Sequence, residues 1–295
     1  MIAGFGEEFS AAPQGPQGWQ ARLELRFEHV HTRTRITRRR HEGPLVVQKA
    51  LYPEVEPEAG KASGGNPCHV YFIHPPGGVA GGDQLQLDVS LLAGSHALLT
   101  TPAAGKYYRC GSAGKALIMQ CFDVEGATLE WLPQESIFYP NAAAELRTIV
   151  KLSSEARFLG WEIGCLGLPA CRLSLEGGKL RLGFELWKDG RPLLIERLIV
   201  ARPGLDARWG MAGRTAFGTA LFYPANRQAL DVATAMAAVG GADVTIAFTL
   251  VDGVLACRAL AHRGDHLRMV FVHVWHALRP LLLGREAVNP RVWAT

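Results

Sequence analysis

Hydrophobic and polar residues alternate in short blocks along much of the chain. Leu23, Leu25 and Phe27 are interleaved with Glu24, Arg26 and Glu28, the two-residue period of a half-buried strand. Thr32, Thr34 and Ile36 extend this β region through intervening arginines. The rhythm returns at Leu85, Leu87, Val89 and Leu91, and again at Val244, Ile246, Phe248 and Leu250. Further strands are predicted at 68–73, 97–101, 116–124, 128–132, 145–152 and 180–187. Gly- and Pro-rich turns separate these blocks, so the pattern predicts a mainly β fold.

Two segments read as helical. Residues 226–238 contain helix formers and no proline, and stop before Gly240-Gly241. Residues 266–283 predict a second helix that Pro280 would kink or end, although their apolar richness also suits a strand followed by a helix. Residues 1–18 lack periodicity and are expected to form a loose leader before one β-rich domain over 19–295. The loop at 53–67 ends in Ser-Gly-Gly-Asn-Pro.

With 295 residues the chain can bury a sizeable core, and 33 glycines with 17 prolines suit a turn-rich fold. The formal charge of +4 is modest. Its densest basic run, Arg33, Arg35, Arg38, Arg39, Arg40 and His41, reads as a solvated face or as a docking surface for an acidic partner. No nucleic-acid reader motif accompanies it, so nucleic acid is not an expected partner. None of the six cysteines forms a CxxC pair, which suits reduced thiols. No signal-peptide pattern and no apolar run of membrane-spanning length is present, so the expected location is the cytoplasm, without a membrane partner.

Candidate chemistry is sparse. His74-Pro75-Pro76-Gly77-Gly78 reads as a rigid turn between strands, with His74 as a possible lining position. Gly81-Gly82-Asp83 reads as a second turn, in which Asp83 can accept a backbone hydrogen bond. Cys68, His69 and His74 carry donors that suit borderline metals. Adjacent strand residues point to opposite faces, however, so Cys68 and His69 should not share one ion. His262 and His266 are expected on one helix face, as are His273 and His276. Trp131 is expected in the core, with Glu130 and Glu135 at the surface or salt-bridged.

Enzyme signatures are missing: no GxGxxG, GxxxxGK[ST] or GxSxG motif occurs, and no catalytic residue is assigned. Gly111-Ser112-Ala113-Gly114-Lys115 reads as a glycine-rich hairpin.

An ordered series of motifs then runs from Trp19 to the end of the chain. It begins with Arg38-Arg39-Arg40-His41-Glu42-Gly43-Pro44-Leu45 and Tyr52-Pro53-Glu54, followed by the two turns above. It continues through Leu99-Thr100-Thr101-Pro102, Lys106-Tyr107-Tyr108-Arg109 and Leu129-Glu130-Trp131-Leu132-Pro133-Gln134-Glu135. Cys165-Leu166-Gly167, Glu196-Arg197, Leu278-Arg279-Pro280 and Pro290-Arg291-Val292-Trp293 complete it. Together they resemble the urease accessory protein D family. That resemblance implies a helicoid β-sheet scaffold with a small helical portion and no enzymatic activity of its own. It also implies that the scaffold acts with accessory proteins F and G on the urease apoprotein.

On the same resemblance, nickel would pass as transient cargo, with no tightly bound cofactor. Transient contacts at Cys68, His74 and Asp83 are expected, with Asp83 the preferred wall residue of a metal route. Candidate docking residues are Arg38, Arg39, Arg40, Lys106, Tyr107, Tyr108, Arg109, Arg197 and Arg279. Two other readings remain open: a β-rich interaction module unrelated to urease, and a metal-dependent enzyme using Cys68, His74 or the late histidines.

Overall fold

The computed structural model describes residues 18–54 and 66–294. The expected leader therefore lies almost wholly outside the described residues, as does the middle of the 53–67 loop. Seven strands form one sheet: β1 (Gln20–Val30), β2 (Arg33–Glu42), β5 (Gln84–Leu91), β8 (Ala116–Glu125), β11 (Ala143–Ser153), β13 (Lys179–Lys188) and β14 (Arg191–Val200). The second sheet has ten strands. Its first half is β3 (Val46–Val47), β4 (Cys68–Ile73), β6 (His96–Thr100), β7 (Gly105–Tyr107) and β9 (Thr128–Trp131). The rest is β10 (Ser136–Phe138), β12 (Arg157–Leu166), β15 (Ala216–Tyr223), β16 (Thr245–Val251) and β17 (Val254–Ala261).

The chain coils between the two sheets. From β5 to β13 the main strands alternate sheets, so β5, β8, β11 and β13 pair in parallel on one side while β6, β9 and β12 do so on the other. This is the helicoid β arrangement that the resemblance implied. Parallel neighbours need a long return path, and here the opposite sheet supplies it instead of a helix. Gly111–Ala113 forms a single 3₁₀ turn leading into β8, whose partners are β5 and β11. The expected hairpin is therefore a crossover turn.

Three layers result. One core lies between the sheets, with Leu23, Phe27, Phe122, Trp131 and Phe158 at its centre. A second lies outside the ten-stranded sheet, under α2 (Arg227–Ala235) and α3 (Gly264–Leu283). Asn226 caps α2 by accepting a hydrogen bond from the Ala229 N–H. Along α3, Leu267, Val270, Phe271, Val274, Trp275 and Leu278 recur at helical spacing and are buried. The helix runs through Pro280 to a left-handed Gly284, because a proline in the last turn breaks little of the remaining hydrogen-bond ladder. His262 precedes α3 and so does not share a helix face with His266.

Ionic contacts join the helix layer to the sheet. Arg279, expected on a docking face, is completely buried. Its Nε lies 3.0 and 3.1 Å from the two Glu130 oxygens, and its Nη2 lies 2.6 Å from Glu54 Oε1. Glu130 also receives a hydrogen bond from Trp275 Nε1 at 2.6 Å and meets His96 Nε2 at 2.7 Å. Glu54 meets His69 Nε2 at 2.8 Å. Burial opposes the Glu130 charge, but Arg279 and His96 outweigh it and hold the carboxyl well below its usual range. Glu130 is thus salt-bridged in the interior, while Glu135 pairs with Arg268.

Removing the guanidinium while keeping the chain length leaves two buried carboxylates uncompensated. Arg279→Met is expected to cost about 3–5 kcal/mol. Urea denaturation of the two proteins measures the difference, and an unchanged midpoint would show that the cluster does not hold the layers together.

Candidate functional site

The two turns singled out in the sequence close the end of β4 and open β5. The Gly77 N–H donates to the His74 carbonyl at 3.0 Å. A Cβ on Gly78 would stand 2.3 Å from the Tyr108 ring, which lies closely over this glycine. Pro75 and Pro76 are exposed. In the second turn, Gly82 has a φ of 84°, and Gly81 is half-buried beside it. Asp83 is 1% exposed. Its Oδ2 accepts from the Ala80 N–H at 2.7 Å and its Oδ1 from the Trp19 N–H at 2.7 Å. Both carboxylate oxygens are thus held by backbone, tying the start of β1 to the turn before β5.

Cys68 and His69 diverge, as strand geometry requires. Cys68 is part of the inter-sheet core, and burial pushes its thiol up to about 11. His69 faces the ionic cluster on the other side. His74 reaches a cavity between the sheets, and its buried Nε2 has no hydrogen-bond partner. Burial pulls the His74 ring below its ordinary value, while the charge of Asp83 acts in the opposite direction. Cys68, His74 and Asp83 therefore occupy different surroundings. Among the described residues, no three His, Cys, Asp or Glu side chains converge as a metal site.

The docking candidates also divide. Arg38, Arg39 and Arg40 are exposed on β2, as are Lys106, Tyr108 and Arg109 around β7 and Arg197 on β14. Tyr107 instead turns inward, with its ring 4.7 Å from that of Phe138. Burial pushes its hydroxyl up to about 12. Two expected surface residues, Tyr107 and Arg279, are therefore interior ones, because each occupies an inward-facing position of its element. The late histidines are separately engaged: His266 meets Asp243 at 2.7 Å, and His276 meets Asn289 at 2.7 Å. His273 instead contacts the Met269 carbonyl at 2.7 Å.

The site with distinctive chemistry is the cavity itself, about 150 Å³ between the sheets. Thr101, Tyr107, Gln120, Trp131, Glu162 and Glu196 are among its walls. A neighbouring cavity of about 110 Å³ shares Thr101, Tyr107, Gln120 and Trp131, and extends to His74. Volumes of this size admit several waters, given polar partners. The room around Glu162 has a local cause. Its same-face neighbours on β12 are Gly160 and Gly164, and Gly164 lies across from Phe217 of β15 in register. A Cβ at Gly164 would stand 2.2 Å from the Phe217 ring.

Enclosure raises Glu162 to about 7, because desolvation outweighs its hydrogen bond with Thr148. The Thr148 hydroxyl lies against both Glu162 Oε1 and Gln120 Oε1, the latter at 2.8 Å, yet has one proton to give. A protonated Glu162 satisfies this arrangement by donating to Thr148, which donates to Gln120. An ionised Glu162 requires Thr148 to donate to it and the Gln120 amide to turn over. Charge and hydrogen-bond order are coupled at this carboxyl.

Sequence reasoning passed over Glu162, Gln120 and Thr148. A signal was present for two of them: Gln120 stands between Ile118 and Phe122, and Thr148 between Leu146 and Val150, at inward-facing positions of alternating strands.

These features define a class: a two-sheet helicoid β protein with a largely apolar chamber between its sheets that carries a few polar groups, and a helical layer outside. The chain belongs to the UreD urease accessory protein family, whose sequence profile matches residues 20–294. It is 40% identical over 280 residues to urease accessory protein UreD of Citrobacter koseri, covering 95% of this chain and 93% of that one. The UreD of Pseudomonas entomophila is 41% identical over 285 residues, covering 96% and 97%. The Klebsiella aerogenes protein is 39% identical over 284 residues, covering 96% and 99%. Among the described residues, no helix is long and apolar enough to cross a membrane.

Between its ordinary value of 4.5 and about 7, Glu162 keeps in the folded chain a proton that the unfolded chain has lost. Its contribution to stability therefore falls as pH rises through this window, by about 3 kcal/mol in total. Wild type should lose stability relative to Glu162→Gln between pH 4.5 and 7, measured by urea unfolding across that range. Parallel pH curves would place Glu162 in an ordinary solvated setting. Asp83→Ala strands two backbone donors and should cost about 2 kcal/mol or more by the same measurement.

Proposed function

We propose that this chain is a scaffold in urease maturation. It joins accessory proteins F and G to the urease apoprotein in the cytoplasm, and its inter-sheet chamber forms part of the path that nickel takes. It has no catalytic role of its own in this reading. Family membership supports the maturation role. One observation carries the route: a chamber inside the fold whose polar groups are strung out from His74 past Gln120 to Glu162.

Spacing of this kind suits cargo better than a resident ion. A cation that meets one imidazole or one carboxylate at a time is attracted but not caged, and can leave. Glu162 changes charge near neutral pH and can therefore offer a carboxylate to an arriving cation and take a proton when it departs. Asp83 acts on the route indirectly, by holding the turn beside His74 and adding negative charge there.

Reconstituted urease activation, with F, G, nickel and apo-urease, tests both parts. Omitting this chain should abolish activation; activation without it would remove the scaffold role. Glu162→Leu should lower the activation rate roughly tenfold, as expected for losing one charge-assisted contact of about 1.5–3 kcal/mol. Assembly of the complex, followed by its mass, should be unchanged. The wild-type rate should rise as pH passes 7, where the carboxylate forms, and Glu162→Gln should lack that rise. A fully active Glu162→Leu complex would take the metal path out of this chamber.

A further inference from the structure

The seven-stranded sheet ends at β14, and among the described residues no strand pairs with its far side. Alternation along β14 puts Ile195, Arg197 and Ile199 on the outward face, with Ile195 39% and Ile199 64% exposed. Two branched apolar residues on an open edge strand are what natural sheets usually avoid, since an unpaired edge recruits other strands. The chain then turns through α1 (Arg202–Leu205) to Trp209, which is 81% exposed. The Trp209 ring packs beside α1, 3.7 Å from where a Cβ on Gly204 would stand. On the inward face of the strand, Leu194 and Leu198 pack against the cores, so the edge is held rigidly.

The exposed charge around this edge is mainly positive, although Asp206 at the end of α1 is an exposed carboxylate. Arg181, Arg191, Arg197, Arg202 and Arg208 are exposed on or beside it. Of the nearby carboxylates, Glu185 pairs with Arg147, Glu196 with Arg258 and Asp189 with Lys188. Aromatic and arginine side chains around a small apolar centre match the make-up of interface hot spots. The opposite edge, β2, differs. Asn66 already bonds the backbone of Thr34 there, so part of its open side is occupied. That edge is partly blunted; β14 is open.

We propose that β14 and Trp209 form a docking edge that takes an extended, acidic segment of a protein partner by strand addition. The open backbone edge selects an extended chain, the arginines select acidic side chains, and Ile195, Ile199 and Trp209 supply the buried centre. This rests on the maturation reading, and places the partner among the components of the urease assembly.

Hydrogen exchange of the full-length chain, alone and assembled with accessory protein F, G and apo-urease, tests the inference. Amides of 194–200 should exchange roughly tenfold more slowly or better in the assembly. Ile199→Lys should weaken association roughly tenfold while leaving the melting temperature unchanged, and Arg197→Glu should weaken it by a similar factor. Added salt should weaken the wild-type complex, and Lys151→Glu, on the same outer sheet face, should bind normally. If the assembly forms with β14 exchanging freely, or with both variants binding as wild type, the docking edge is wrong and the scaffold role stands. Protection of β2 in place of β14 also overturns it. If the wild-type chain does not assemble at all, the maturation reading fails and takes this inference with it.

Discussion

The pairing of Arg279 with Glu130 fixes more of this molecule than its size suggests. Glu130 and Trp131 are neighbours on β9 and point to opposite sides of the ten-stranded sheet. Glu130 meets α3 through Arg279 and Trp275, while Trp131 forms part of the chamber wall. A slip of one residue along β9 would exchange these faces, burying an unpaired charge between the sheets. The register that satisfies the guanidinium is therefore also the register that shapes the chamber. Arg279 also reaches Glu54 and the carbonyl of Glu286, joining an early loop, a middle strand and the tail of the last helix. The tail stays close by, where Trp293 Nε1 donates to Thr100 Oγ1 at 3.0 Å.

Glu130, fully buried, and Glu162, partly buried on the chamber wall, differ in their partners. Glu130 faces a guanidinium and stays ionised, which makes it a structural charge. Glu162 faces a hydroxyl, an amide and an indole, none carrying positive charge, so desolvation dominates and its proton is exchangeable near neutral pH. The coil brings this about by placing Gln120 of β8, Thr148 of β11 and Glu162 of β12 inward at one level. The chamber thus carries single polar groups, opposite an ionic cluster that locks its wall. The outer surface divides in a comparable way, since one edge of the seven-stranded sheet is partly occupied by Asn66 and the other carries exposed isoleucine.

Strands with one wet face were legible in the sequence. Those at 85–91 and 145–152 fall inside β5 and β11. The longer strands passed over were β12, β14, β15 and β17, along with the short β3, β7 and β10. Of the longer ones, β12, β15 and β17 belong to the ten-stranded sheet, which is covered by the other sheet on one side and by helices on the other. Buried on both faces, they lose the polar half of the alternation, as Arg157–Leu166 and Val254–Ala261 show. The two turns were legible as turns, because proline and glycine act on the backbone where they stand. The resemblance carried by the ordered motifs gave the family.

By itself the sequence determined the β character, the turns, most wet-faced strands and the family. Each rests on the local geometry of the chain or on residue order, so neighbouring residues suffice to read it. Tertiary structure alone decided that Arg279 and Tyr107 are interior, that Asp83 is spent on two backbone donors, and that Glu162 titrates near 7. Burial and charge depend on which distant groups surround a side chain and how much water they displace. Glu130 and Arg279 are 149 residues apart, and no local pattern records that they meet.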